Sequence, residues 1–232
     1  MPVALITGAS RGLGAAFGAG LAGRGWDLIV DARDAAALTR TVEGWGDTVV
    51  AIPGDVAAPE HREELARAVQ RLGRLDLLVN NASLLGPSPQ PTLERYPLDV
   101  LENVYRVNVL APLALAQLLL PHLRKANGTI VNITSDASIE PYEGWGGYGS
   151  SKAALDQLTA VLAAEQPSLA VYAFDPGDMR TQMQQEAFPG EDISDRPEPE
   201  TVIPVLVRLI EDRPSSGRYK ASDFAVTVGG PA

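Results

Sequence analysis

Unbroken apolar runs of strand length, set apart by stretches long enough to cross back over a sheet, restrict this chain more than any other feature. The runs are Val3–Thr7, Leu28–Ala32, Val49–Pro53, Leu75–Asn80, Thr129–Thr134, Ala170–Asp175 and Ala225–Val228. A strand with one wet face alternates apolar and polar residues, whereas these are largely continuous, which suggests cover on both faces. Helices above and below a parallel sheet give that cover, and the intervening segments have the length of crossover helices. The expected architecture is one doubly wound α/β domain over residues 1–232, with a mostly parallel sheet of about seven strands flanked by helices. With 45% hydrophobic and 21% charged residues, the chain has the core such an architecture needs. From about residue 183 to 200 the pattern breaks into Phe188-Pro189-Gly190-Glu191-Asp192 and Arg196-Pro197-Glu198-Pro199-Glu200, before helical patterning resumes over Thr201–Glu211. That segment is expected to be a mobile loop beside the substrate.

Directly after the first run comes Thr7-Gly8-Ala9-Ser10-Arg11-Gly12-Leu13-Gly14, leading into the helical stretch Ala15–Gly23. Glycines serve many tight turns. At a strand-to-helix junction they also let the backbone approach a pyrophosphate, whose charge then rests on the positive end of the helix. Gly8, Ser10, Arg11, Gly12, Leu13 and Gly14 are therefore candidate dinucleotide contacts in a Rossmann-type fold.

Other chemistries are disfavoured by composition. There is no cysteine, which removes disulfides, thiolate nucleophiles and cysteine metal sites, and His61 and His122 are far apart in sequence, so no metal is expected. The net charge of −10, with no basic run, opposes nucleic acid as a partner. No uninterrupted apolar run reaches the ~18 residues of a membrane span, and the opening Pro2-Val3-Ala4-Leu5-Ile6 is too short and uncharged for a signal peptide. The expectation is a cytoplasmic protein without a membrane partner.

The spacing of the glycine turn resembles the Thr-Gly-x-x-x-Gly-x-Gly motif of the short-chain dehydrogenase/reductase family, in its single-domain, carbonyl/ketoacyl reductase-like branch. Further matches follow in family order along essentially the whole chain. Asp55-Val56 resembles the adenine contact, and Asn80-Asn81-Ala82 resembles the Asn-Asn-Ala-Gly element, with Asn81 and Ala82 beside the cofactor. Ser83 departs from that element, placing a side chain where the family keeps glycine. Asn108, Ser135, Tyr148 and Lys152 match the catalytic tetrad, and Pro176-Gly177 with Met179 and Thr181 resembles the nicotinamide-side loop. The resemblance implies an NAD(P)-dependent oxidoreductase acting on a small-molecule carbonyl or alcohol, with Lys152 also holding the cofactor ribose.

The tetrad residues make chemical sense by themselves. Tyr148 and Lys152 are four residues apart on a helical stretch, so both side chains lie on one face. A free tyrosine titrates near pH ~10. An ammonium about 4 Å away, at an effective dielectric of about 20, favours the phenolate by roughly 4 kcal/mol before desolvation is subtracted. Tyr148 is thus the expected acid/base, Ser135 a hydrogen-bond partner for the substrate oxygen, and Asn108 the holder of a helix and of a water chain to Lys152. Each has an ordinary alternative: a surface Tyr–Lys pair, a turn-capping serine, or a helix-interior amide bonded to a neighbouring strand.

Tyr142, Trp145, Met179, Met183 and Phe188 are expected to wall a pocket for an apolar or aromatic carbonyl compound, although they would equally pack beneath a loop. Asp136, Glu140 and Glu143 near its mouth disfavour acidic substrates. The second run ends Val30-Asp31-Ala32-Arg33-Asp34, and Ala32 stands where the family's NAD users carry an acidic residue. Arg33 and Arg11 are placed to meet a 2′-phosphate, so NADP(H) is expected over NAD(H). If Asp31 were the ribose ligand, that preference would reverse, but strand alternation turns Asp31 and Ala32 to opposite sides. Apolar Leu113, Leu118, Leu155 and Leu158 suggest a homodimer or homotetramer. The competing readings are a non-catalytic dinucleotide-binding sensor and a nucleotide-sugar epimerase or dehydratase.

Overall fold

The computed structural model describes residues 1–224. Within them the strands are β1 (Val3–Ile6), β2 (Asp27–Ala32), β3 (Val49–Pro53), β4 (Leu77–Asn80), β5 (Thr129–Ile133), β6 (Ala170–Asp175) and β7 (Gly217–Lys220). They form one parallel sheet in the order β3-β2-β1-β4-β5-β6-β7. The helices are α1 (Gly12–Ala22), α2 (Ala35–Val42), α3 (Pro59–Leu72), α4 (Leu98–Tyr105), α5 (Ala111–Ala126), α6 (Gly146–Glu165), α7 (Gln182–Ala187) and α8 (Ile203–Asp212). This is the Rossmann-like α/β arrangement expected from the apolar runs.

The period-two geometry of a strand divides its apolar residues between two cores. Ala4 and Ile6 of β1 join Phe17 and Leu21 of α1 and Leu206 and Leu209 of α8. Val3 and Leu5 face the other way, onto Leu65 and Val69 of α3 and Leu115 and Leu119 of α5. Each such aliphatic side chain, fully buried, contributes about 1.5–3 kcal/mol. The strand order reverses between β1 and β4, which opens a crevice at their carboxyl ends where ligands of doubly wound sheets bind.

The described elements differ from the expected runs at several points. The seventh described strand is Gly217–Lys220, a polar and only half-buried edge strand that lacks the apolar run used to find the others. The expected run Ala225–Val228 lies outside the described residues. The supposed loop at 183–200 begins as helix α7, because Thr181 caps it by accepting a hydrogen bond from Gln184 N at 3.2 Å. The helical stretch Leu98–Ala126, 29 residues long, is long and apolar enough by composition to cross a membrane. Here Val104, Leu115, Leu119 and Leu123 from that stretch pack in the protein interior. Of the leucines expected at a subunit contact, Leu155 is core, whereas Leu118 is exposed.

Candidate active site

The glycine turn is held from two sides. Thr7 Oγ1 accepts hydrogen bonds from Asn81 N and Ala82 N, each at 3.0 Å, and Asn81 Nδ2 donates to Thr7 O at 2.8 Å and Gly8 O at 3.0 Å. Gly8 has φ +69°, a left-handed conformation that favours glycine. At Gly14 a Cβ would stand 2.5 Å from both Gly8 O and Asn81 Nδ2. The helix N-terminus behind this turn has no side-chain cap, and its first amides lack intrahelical acceptors. A narrow backbone cradle with free donors fits a dinucleotide pyrophosphate. Gly8, Ser10, Arg11, Gly12 and Leu13 line the resulting cleft with Asp55, Val56, Asn81 and Ala82, and the Thr181 methyl closes over Gly12. The cleft, about 1560 Å3, exceeds the ~300–1,000 Å3 of an ordinary small-molecule pocket.

Alternation at the end of β2 decides the roles of its polar residues. Asp31 Oδ1 accepts from Gly8 N at 2.8 Å and Oδ2 lies 3.0 Å from His61 Nε2 of α3, all in the interior. Burial pushes this carboxyl up, while His61 and the Gly8 amide favour its charge. Both oxygens of Asp31 therefore face fixed protein partners. Asp34 caps α2 through Ala37 N at 2.9 Å. Arg33 is exposed at the cleft and, among the described residues, forms no ion pair. Arg11 donates to Gln182 Oε1 of α7, so its guanidinium bridges the turn to that helix. Asp55 accepts from Ala57 N at 2.8 Å, and Val56 beside it is buried.

Tyr148 and Lys152 sit on the first turns of α6, both buried. Lys152 Nζ donates to Ile133 O at 2.8 Å and lies 5.5 Å from the Tyr148 ring centroid. Burial lowers the lysine to about 8. Burial also pushes the Tyr148 phenol above its ordinary range, with Asp175 and Asp136 adding to the rise and the Ser83 and Ser135 hydroxyls opposing it. This reverses the expected direction for Tyr148, because desolvation outweighs the groups that favour phenolate. The sequence shows which partners stand nearby and not how dry the site is.

Ser135 follows β5, accepts from Ala137 N at 3.2 Å and donates to Asp136 Oδ1 at 3.0 Å. Asn108 lies in a π-helical turn, Arg106–Leu110, between α4 and α5. Such a turn shifts the helix face and re-aims the side chain. Asn108 Nδ2 donates to Leu84 O at 2.9 Å and Ser151 Oγ at 3.0 Å, while Oδ1 accepts from Leu84 N at 2.8 Å and Ser83 Oγ at 3.2 Å. Its direct partners are thus α6 and the segment after β4, and Lys152 is not among them.

Beyond Tyr148, Trp145 packs edge-on at 5.9 Å between ring centroids and meets Phe188 at 5.8 Å and Tyr142 at 6.3 Å. Met183 of α7 joins Trp145 against Tyr148, and Pro176, Gly177 and Met179 line the same cleft. Asp136 accepts from Tyr142 Oη at 2.9 Å. The sequence reading missed Arg218 of β7. Its Nη2 donates to Ser135 O at 3.0 Å and Asp175 Oδ2 at 3.1 Å, and its Nε to Asp156 Oδ2 at 3.2 Å, joining β5, β6 and α6 behind the site. An arginine in a polar edge strand carries no motif that would single it out.

A family model described as short chain dehydrogenase matches residues 2–192. The chain belongs to that family. Sepiapterin reductase of Rattus norvegicus is 35% identical over 201 residues, which cover 80% of this chain and 77% of that one. A rhamnolipid-biosynthesis 3-oxoacyl-[acyl-carrier-protein] reductase of Pseudomonas aeruginosa is 40% identical over 173 residues, 70% of this chain and 66% of that one. Among solved structures, a short chain dehydrogenase from Escherichia coli CFT073 complexed with NADPH superposes with a TM-score of 0.87 at 30% identity, covering 95% of this chain and 96% of that one. As a short chain dehydrogenase, the protein is an NAD(P)-dependent oxidoreductase.

Proposed function

We propose that this short chain dehydrogenase interconverts a carbonyl and an alcohol with NADP(H), using Tyr148 as the acid/base. The observation that carries this is the meeting of Tyr148, Ser135 and Lys152 in the same cleft as the glycine turn, beside an aromatic wall. When bound there, the reduced nicotinamide supplies a hydride to the carbonyl carbon. Ser135, held by Ala137 N, turns its proton from Asp136 to the substrate oxygen and steadies the charge that develops on it. Tyr148 gives its Oη proton to that oxygen, and burial, which disfavours the phenolate, keeps that proton in place before the transfer. Lys152, fixed by Ile133 O, orients the cofactor ribose. The substrate is an apolar or aromatic carbonyl compound, as Trp145, Tyr142, Phe188 and Met183 suit.

The preference for NADP(H) is supported by exposed Arg33 and by Asp31, whose two oxygens are already engaged by Gly8 N and His61 Nε2. Catalytic efficiency is expected to be higher with NADPH than with NADH when reduced-nicotinamide absorbance is followed over a panel of ketones, aldehydes and quinones. In Arg33→Ala the ratio should fall roughly tenfold, the scale of one charge-assisted hydrogen bond. A parent that prefers NADH, or a variant with an unchanged ratio, rejects this cofactor assignment.

Exposed Leu98, Leu110 and Leu118 on the α4–α5 stretch, with exposed Val161 on α6, support assembly as a homodimer or homotetramer. Light scattering at micromolar concentration is expected to give a multiple of 24.5 kDa, and the monomer mass would refute assembly.

A further inference from the structure

We infer that His61 is a positioning residue for dinucleotide binding, acting through the Asp31 side chain on the Gly8 amide of the glycine turn. This rests on that turn being the cofactor cradle and on no step of the chemistry at Tyr148.

The turn is clamped through its carbonyls and, separately, through its amides. Thr7 O and Gly8 O accept from Asn81 Nδ2 at 2.8 and 3.0 Å. The amides belong to Asp31: Gly8 N donates to Oδ1 at 2.8 Å, and Ala9 N donates to the Asp31 main-chain carbonyl at 2.8 Å. Asp31 thus fixes successive peptide units at the residue whose φ is +69°. A buried carboxyl with one oxygen on Gly8 N needs a partner for the other. His61 Nε2 is that partner, 3.0 Å from Oδ2. Burial pushes the carboxyl up, and of the groups that favour its charge the His61 hydrogen bond comes first and the Gly8 amide second. Without His61 the carboxyl would take up a proton or turn toward another donor, and either change weakens its bond to Gly8 N.

The imidazole is itself held in place. His61, Leu65, Ala68 and Val69 form the buried face of α3, and Leu65 and Val69 lie in the core with Val3 and Leu5 of β1. The ring lies on the bare backbone of Gly54, just past β3, where an added Cβ would collide with it. Glycine at 54 leaves the room that the ring occupies. A histidine on the apolar stripe of a helix is ordinarily a satisfied core residue. This one is bonded to the side chain that holds the turn, so the core packing of α3 is transmitted to Gly8.

The test is the dissociation constant of whichever reduced dinucleotide, NADPH or NADH, the parent binds more tightly, from a fluorescence titration beside a thermal melt of each variant. His61→Leu keeps an apolar side chain on α3 and should weaken binding about tenfold, the scale of a lost hydrogen bond to a charged group. His61→Gln carries an amide nitrogen the same number of bonds from Cβ as Nε2 and should return affinity to within about twofold of the parent. Asp31→Ala should also weaken binding about tenfold, and adding His61→Leu to it should change nothing further, because one residue acts through the other. Neither of these last variants buries a carboxylate without a partner, so they decide the question even if His61→Leu does not fold. Parent-like affinity in folded His61→Leu or in Asp31→Ala overturns the proposal, whatever happens to the melting temperature. So does a further loss in the double variant, or a glutamine variant as weak as the leucine one. A parent that binds neither dinucleotide brings down the cofactor cradle and this proposal with it. A parent that binds one tightly and is matched by the variants brings down only the role of His61.

Discussion

Tyr148→Phe is expected to lose about 10²- to 10⁴-fold in kcat while binding the reduced cofactor almost as tightly as the parent. The substitution deletes one oxygen and leaves the ring, and the ring is what packs on Trp145, Leu85 and Ala137. A wall built from ring contacts survives, whereas the proton that completes reduction has no other source at that position. Initial rates from reduced-nicotinamide absorbance give the first quantity, and a fluorescence titration of cofactor gives the second. Loss of both together would mean that the hydroxyl holds the fold rather than serving the chemistry.

Gly14→Ala is expected to weaken cofactor binding by at least about tenfold and to destabilise the protein by roughly 1–3 kcal/mol, the usual cost of overpacking. The added Cβ would lie 2.5 Å from Gly8 O and from Asn81 Nδ2. Neither can give way cheaply. Gly8 N is bonded to buried Asp31, and Asn81 Nδ2 is already bonded to the Thr7 and Gly8 carbonyls. Relief comes only by opening the turn that is shaped for the pyrophosphate. Gly23→Ala is the control at the other end of α1, where the nearest atom to a new Cβ is Ala19 O at 3.5 Å. Thermal melts should separate the two by several degrees, taking ~2–4 °C per kcal/mol for a chain of this size. Equal melting temperatures and equal cofactor affinities would show that the turn tolerates a side chain.

Much of the sheet was legible because its strands are buried on both faces. The runs that start at Val3, Val49, Thr129 and Ala170 begin where β1, β3, β5 and β6 begin. β7 was hidden for the converse reason: Gly217-Arg218-Tyr219-Lys220 lies at an edge, where pairing to β6 rather than apolar burial makes it a strand. α7 was legible in principle, since Thr181-Gln182-Met183-Gln184 has the spacing of a capping box, but the Pro-rich tract downstream drew the segment into a loop. For the site, motif order singled out Asn108, Ser135, Tyr148 and Lys152 as candidates, and the fold brings their elements together. It did not give the direction in which Tyr148 shifts, because burial is a property of everything packed around α6. Nor did a helical pattern reveal the π turn at Arg106–Leu110, where one wider turn decides which way Asn108 faces.

The attachment of α7 has a consequence for how this enzyme could change. That helix carries Met183 against Trp145 and Tyr148, yet among the described residues it is no part of the sheet. It is capped by its own Thr181 and moored by contacts of Arg11 with Gln182 and of Ser88 with the Glu186 carbonyl. A short, self-capped segment on such moorings behaves as an exchangeable part. Its residues can drift between descendants, reshaping the aromatic end of the cleft, while the glycine turn and the start of α6 behind it are inherited unchanged.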